Sequence, residues 1–156
     1  MMLKITLIAT GKLKERYWRE AMDEYLKRLR PYATVSVKEV SDAPDGLGGD
    51  SARQREGEAI LKALPADAHV VLLDSRGTHR TSEDIAQRFD QLMVQGSSHI
   101  AFIIGGSQGA SAKVRTVAHE VLSLGDITLP HNLARVVLIE QIYRAFKIIR
   151  KEPYHK

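Results

Sequence analysis

Apolar positions along the chain switch between two periods, and the switches lay out the elements. Lys4–Ala9 (KITLIA) is a short β-branched run that predicts a strand. Tyr17, Trp18, Ala21, Met22, Tyr25, Leu26 and Leu29 then recur at helical spacing until Pro31, predicting an amphipathic helix whose aromatics face the core. Thr34–Val40 alternates like a half-buried strand, 41–50 (SDAPDGLGGD) gathers Gly, Pro and Asp as a loop, and Ser51–Leu64 is a helical segment stopped by Pro65. His69–Leu73 (HVVLL) and His99–Ile104 (HIAFII) are continuous apolar runs of the kind buried on both faces of a parallel sheet. Between them a turn over Ser75–Arg80 leads to Thr81-Ser82-Glu83-Asp84, which carries capping chemistry for a helix through Val94 closed by Gly96. A helix from about Ser111 to Glu120, a short strand Val121–Leu124 and a final helix from Pro130 complete the pattern.

Strands alternating with helices from end to end predict one α/β domain over 1–156, built on a parallel, helix-flanked sheet of about five strands. Ligands in such sheets gather at the carboxyl ends of the strands. Here those ends are Leu73-Asp74, Gly105-Gly106 and Leu124–Asp126.

The final helix is apolar over most of its circumference, which predicts burial against its own sheet and against a second subunit. At about 100° per residue, Glu140, Arg144, Lys147 and Lys151 share one stripe. His131 and Arg135 fall on the opposite side with Leu138, Ile142 and Ile149, and such a pair on an apolar face needs polar company. Pro130 suits a helix start, so His131 lies near the positive end of the helix dipole, where a neutral imidazole is favoured.

Composition narrows the chemistry. The absence of cysteine excludes disulfides, thiolate catalysis and cysteine metal sites, and the six histidines form no HExxH-type pattern, so no metal is expected. No apolar run reaches the roughly 18 residues of a membrane span, and the short N-terminal run reads as a strand and not a signal peptide, giving the expectation of a cytoplasmic protein. The net charge of +4 is a mild pointer to an anionic partner; Lys147, Arg150, Lys151 and Lys156 against Glu152 make the tail the most basic segment, consistent with either a solvated helix end or a binding element.

Two features remain open on residue chemistry alone. Gly105-Gly106-Ser107-Gln108-Gly109 sits between a strand and a helix, where glycines admit a ligand to the backbone. It lacks the Lys-Ser/Thr of a phosphate-binding loop; it approximates a dinucleotide fingerprint, with Asp126 as the ribose-binding acid, or it is a plain tight turn. Tyr154 and His155, beyond Pro153, are either a frayed terminus or a segment able to fold over a pocket.

Taken together, FIIGGSQG (102–109), SLGDITLPHNLAR (123–135), LIEQIYRA (138–145) and the terminal PYHK resemble, in order and spacing, the ribosomal RNA large subunit methyltransferase H family across the full chain. That resemblance implies a SPOUT methyltransferase: an α/β fold with a C-terminal trefoil knot, a homodimer, and S-adenosylmethionine held in the knot. It implies as substrate the N3 position of a pseudouridine in large-subunit (23S) ribosomal RNA on the assembled ribosome. Carried over by position, the cofactor would meet Leu73, Gly105, Gly106, Leu124, Gly125, Asp126, Ile127, Thr128 and Leu129. Family members more often have serine where this chain has Gly125, and Asp126 either touches the ribose or caps the turn. The candidates for orienting the base and for proton transfer are Tyr154, His155, Arg135 and His131, with Arg135 offsetting negative charge across the dimer.

Overall fold

β1 (Leu3–Thr10), β2 (Ala33–Val40), β3 (His69–His79), β4 (His99–Ile104) and β5 (Glu120–Ser123) form one parallel sheet in the order β2-β1-β4-β3-β5. The computed structural model from which this is read describes residues 2–44, 46–106 and 109–156. α1 (Arg16–Leu29), α3 (Ser82–Val94) and α5 (His131–Ile149) cover one face; α2 (Gly49–Ala63) and α4 (Ala112–Val117) cover the other.

Two apolar layers follow from the period-two alternation of strand side chains. Leu3, Ile5, Leu7 and Ala9 of β1 meet α1, α3 and α5, whereas Ile8 meets Ile60 of α2 and Val114 of α4. Central strands therefore read as continuous apolar runs, and the edge strand β2 alternates. The capping box opens α3 as its sequence predicts: Asp84 N–H donates to Thr81 Oγ1 at 3.0 Å, and Thr81 N–H donates back to Asp84 Oδ2 at 3.2 Å.

α5 is wedged between α1 and α3 above the sheet, and Leu138, Ile139, Ile142, Tyr143, Ala145 and Phe146 are buried there. Three sides of the helix are thus occupied within one chain, which accounts for much of its apolar circumference before any partner is considered.

The elements depart from their sequence-derived outlines at three places. Tyr17, expected in the core, is 63% exposed, because α1 packs inward only from Met22 onwards and its first turn overhangs. α4 stops at Val117, where Ala118 turns extended and frees the chain to start β5 at Glu120. β3 continues to His79 instead of ending near Leu73, and this third difference shapes the site. Leu73 and Thr78 both pair with Leu122, so residues 74–77 bulge out of the ladder and the strand resumes beyond them.

Gly77 makes that bulge possible. A Cβ there would lie 2.6 Å from the Val121 carbonyl oxygen, a backbone atom that has no rotamer by which to retreat. Gly77→Ala should therefore push β3 and β5 apart at a cost of about 2 kcal/mol. The thermal midpoint is expected to fall by about 6 °C; an unchanged midpoint would contradict this close approach.

Candidate active site

The carboxyl ends of β3, β4 and β5 open into a cleft of about 520 Å³. Its walls come from three segments: Leu73–Arg76 at the β3 bulge, Ile104–Gly106 with Gly109 after β4, and Leu124–Gly125 with Ile127–His131 between β5 and α5. Ala134, one helical turn from Pro130, closes one side. Of the residues expected to hold a ligand, Leu73, Gly105, Gly106, Leu124, Gly125, Ile127, Thr128 and Leu129 all line this cleft. Ser107 and Gln108 of the glycine loop lie outside the described residues, as does Asp45 of the 41–50 loop.

The lining is apolar in its side chains and polar in its backbone. Ile127 is 73% exposed into open cleft, an arrangement that leaves apolar surface for a planar ring to cover. Gly125 has φ +122° and Gly109 φ +81°, left-handed values that favour glycine and bend both loops around the cleft. Ser123 fixes the first bend: its Oγ accepts from Gly125 N–H at 3.1 Å and donates to the Gly125 carbonyl at the same distance.

Asp126 does not line the cleft. Its side chain is 89% exposed and faces His79 Nε2 at 3.1 Å, which sets it as a turn residue on the outer side and removes the acid that a dinucleotide reading requires. Asp74, absent from the sequence-derived set, does line it. Burial pushes the Asp74 carboxyl up, but the Arg76 backbone N–H, at 2.8 Å, and the Arg115 guanidinium more than offset this and hold the group below the usual carboxylate range. Asp74 was legible only as part of a strand end and Ser75-Arg76 only as a turn, because nothing in the local pattern says that the strand resumes after them.

The family model described as "Predicted SPOUT methyltransferase" matches residues 3–155. The chain belongs to this family. Proteins named ribosomal RNA large subunit methyltransferase H are 48% identical in Carboxydothermus hydrogenoformans, 45% in Bacillus pumilus and 43% in Acetivibrio thermocellus, each alignment covering 99% of this chain and 100% of the relative. A solved structure of a probable methylase family protein from Haemophilus influenzae superposes with a TM-score of 0.53 at 16% identity, covering 99% of this chain and 70% of that one, and supports the fold.

In this SPOUT methyltransferase the remaining candidates separate along α5. His131, at its first turn, lines the cleft. Arg135, one turn later, turns away: it is 1% exposed, donates to Glu39 Oε2 at 2.6 Å and to the Gly11 carbonyl at 2.8 Å, and approaches the Thr10 carbonyl at 3.4 Å. The expectation that Arg135 offsets charge on a substrate is corrected accordingly, since its guanidinium is buried and its Nη1 and Nη2 tie α5 to the ends of β1 and β2.

Tyr154 and His155 dock further along α5. The Tyr154 ring packs edge-on against Tyr143 at 4.8 Å between centroids, with the Arg144 guanidinium 4.7 Å from its centre and its hydroxyl donating to Glu140 Oε1 at 3.4 Å. His155 Nε2 meets Glu83, and its Nδ1 lies 3.0 Å from Arg144. The tail is therefore docked and not frayed. Burial, reinforced by Tyr25 and the Glu140 carboxyl, pushes the Tyr154 phenol up to about 12. From His131 to Glu140 is about 13 Å of helix axis, and to Arg144 about 20 Å. Docked this way, the tail does not close over the cleft of its own chain, contrary to the expectation from sequence, because the Glu140–Arg144 ion pair and Tyr143 hold it midway along the helix.

Among the described residues no helix is long and apolar enough to cross a membrane, and no group of three or more acidic, histidine or cysteine side chains is arranged to hold a metal.

Proposed function

We propose that this chain uses S-adenosylmethionine to methylate N3 of a pseudouridine in large-subunit ribosomal RNA, acting on the assembled ribosome in the cytoplasm as a homodimer. The observation that carries the reading is the coincidence of one cleft with the ligand-contacting set expected from sequence, Asp126 excepted, in a chain with relatives at 43% and 48% identity named for ribosomal RNA methylation.

The residues present fit the cofactor. Leu73, Leu124, Ile127 and Leu129 offer apolar walls for adenine, and the glycine-lined backbone at Gly105, Gly106 and Gly125 offers polar groups unshielded by side chains. When bound, S-adenosylmethionine supplies a methyl group already activated by its sulfonium, so the protein's task is alignment. The family's trefoil knot belongs to the same reading: 124–130 starts from β5 at the sheet edge, runs past the ends of β3 and β4, and delivers α5 between α1 and α3.

Proton chemistry falls to the polar groups at the cleft mouth. N3 of a uracil-type ring loses its proton as it gains the methyl, and an imidazole can take that proton. His131 stands at the cleft, next to the positive end of α5, where it can orient the base. A single chain lacks the tail at this point. A two-fold dimer with α5 near its interface would bring Tyr154 and His155 of the partner subunit to the cleft, which supplies the reason for dimerisation. The phenol, pushed to about 12, stays protonated at neutral pH and serves as a hydrogen-bond donor, leaving proton removal to His155. Arg135 acts at one remove, fixing the helix from which His131 projects.

Two measurements test the reading. Calorimetric titration should show S-adenosylmethionine binding with no binding of NAD. Labelled methyl should enter the large-subunit RNA of whole ribosomes and not free ribosomal RNA, because a chain this small with a diffuse charge surface gains specificity from ribosome shape. Ribosome association without methyl incorporation would overturn the assignment as an enzyme of this substrate.

A further inference from the structure

Behind the cleft floor lies a carboxyl group with one oxygen unused. Glu56 projects from the inner face of α2, is 7% exposed, and accepts from the Ala43 backbone N–H through Oε2 at 3.0 Å. Its Oε1 is buried and meets no hydrogen-bond partner among the described residues. Leaving such an atom unpaired costs about 1–3 kcal/mol, so its persistence calls for a partner that arrives later.

What Oε1 faces identifies that partner. A Cβ built on Gly106 would lie 2.9 Å from Glu56 Oε1 and 3.3 Å from Thr10 Cγ2, so the glycine loop passes directly over both side chains. Thr10 Oγ1, at the end of β1, is likewise buried without a partner among the described residues. One residue along α2, a Cβ on Gly57 would lie within 3.4 Å of Ser111 and Val114, at the cap and first turn of α4. α2 thus presses on both ends of the glycine loop, with Glu56 under its entry and Gly57 under its exit.

We infer that Glu56 is a positioning residue for the cofactor, its free Oε1 accepting a backbone N–H from the Gly105–Gly106 end of the loop when S-adenosylmethionine settles against the cleft side. The inference rests on the proposed cofactor. Because Oε2 already holds Ala43, the same carboxyl links the cofactor loop to the segment before α2, so loading the cleft tightens both. Gly106 is glycine for the same reason: any side chain would occupy the space between the loop and Glu56.

Glu56→Gln separates this role from a structural one. The amide keeps the volume and one accepting oxygen for Ala43, but presents its nitrogen where the free carboxyl oxygen stood, and a nitrogen donor cannot accept from the loop. Calorimetric titration with S-adenosylmethionine is expected to show about a tenfold weaker Kd for Glu56→Gln, with the thermal midpoint of the unliganded protein unchanged. Gly106→Ala should weaken binding similarly, and the double variant should be no worse than either alone, since both break one contact. Equal affinity in Glu56→Gln and wild type would overturn the inference, as would full additivity. Failure of the wild type to bind S-adenosylmethionine would instead strike the cofactor assignment, so the two failures are distinguishable.

Discussion

Replacing Tyr154 and His155 together with alanine is expected to lower methyl incorporation into ribosomes by about two orders of magnitude or more, while S-adenosylmethionine affinity stays within about twofold of wild type. The split follows from distance. The cleft proposed to hold the cofactor is built from the carboxyl ends of the strands and the first turn of α5, and the tail is docked about 13 to 20 Å along that helix. A group that far away cannot hold the cofactor of its own chain. In the proposed dimer it meets the acceptor base in the other cleft, so its loss falls on the transition state and leaves cofactor binding alone.

Tyr154→Phe divides the contribution further. It keeps the edge-on packing against Tyr143 and removes only the hydroxyl, so the tail stays docked and the remaining deficit reports the phenol's hydrogen bond. The arrangement across two subunits has its own signature. Mixing subunits that lack the tail side chains with subunits whose cleft is blocked at Gly105 should restore activity that neither parent has, because one intact composite site forms in each mixed dimer. Undiminished turnover in the double alanine variant would remove the tail from the chemistry altogether.

The second large effect concerns Arg135. Arg135→Met is expected to destabilise the protein by about 3 kcal/mol, with a thermal midpoint about 10 °C lower. Its guanidinium is fully enclosed and answers three oxygens, one each from Glu39, Thr10 and Gly11. Removing it strands those acceptors at the junction of α5 with β1 and β2. Glu39 remains partly in contact with solvent, which puts the loss at the lower end of the range for a broken buried pair. Arg135→Lys keeps the charge without the planar fork and should lie between. Urea denaturation checks the ranking. A lysine variant of wild-type stability with crippled turnover would return Arg135 to the chemistry.

The alternation of elements and the paired faces of the sheet were legible along the chain because each rests on a local period. KITLIA, HVVLL and HIAFII are mostly apolar, as strands buried on both faces are, and the Thr81–Asp84 capping box is a four-residue event. The position of the cleft was legible for a related reason: in a parallel sheet it follows from strand ends, and Leu73, Gly105, Leu124–Gly125 and Ile127–Leu129 are strand ends or the loops after them. The β3 bulge was not, since residues 74–77 leave the ladder only because β5 re-pairs at Thr78, a contact made from more than forty residues away. Nor does local pattern tell a buried tie from a reactive group.

Sequence by itself set out α5, its apolar faces, the loop that feeds it and the Tyr-His tail that ends it, and family resemblance attached a chemistry to the whole. Only the tertiary structure decided that His131 and Arg135, one turn apart, serve different neighbours, one facing the cleft and the other enclosed by β1 and β2. It also decided that the tail stays beside Glu140, Tyr143 and Arg144, away from its own cleft. Helical periodicity fixes which side of a helix a residue occupies, but what waits on that side is determined by segments distant in the chain, and the length of α5 keeps the cleft at its first turn apart from the docked tail.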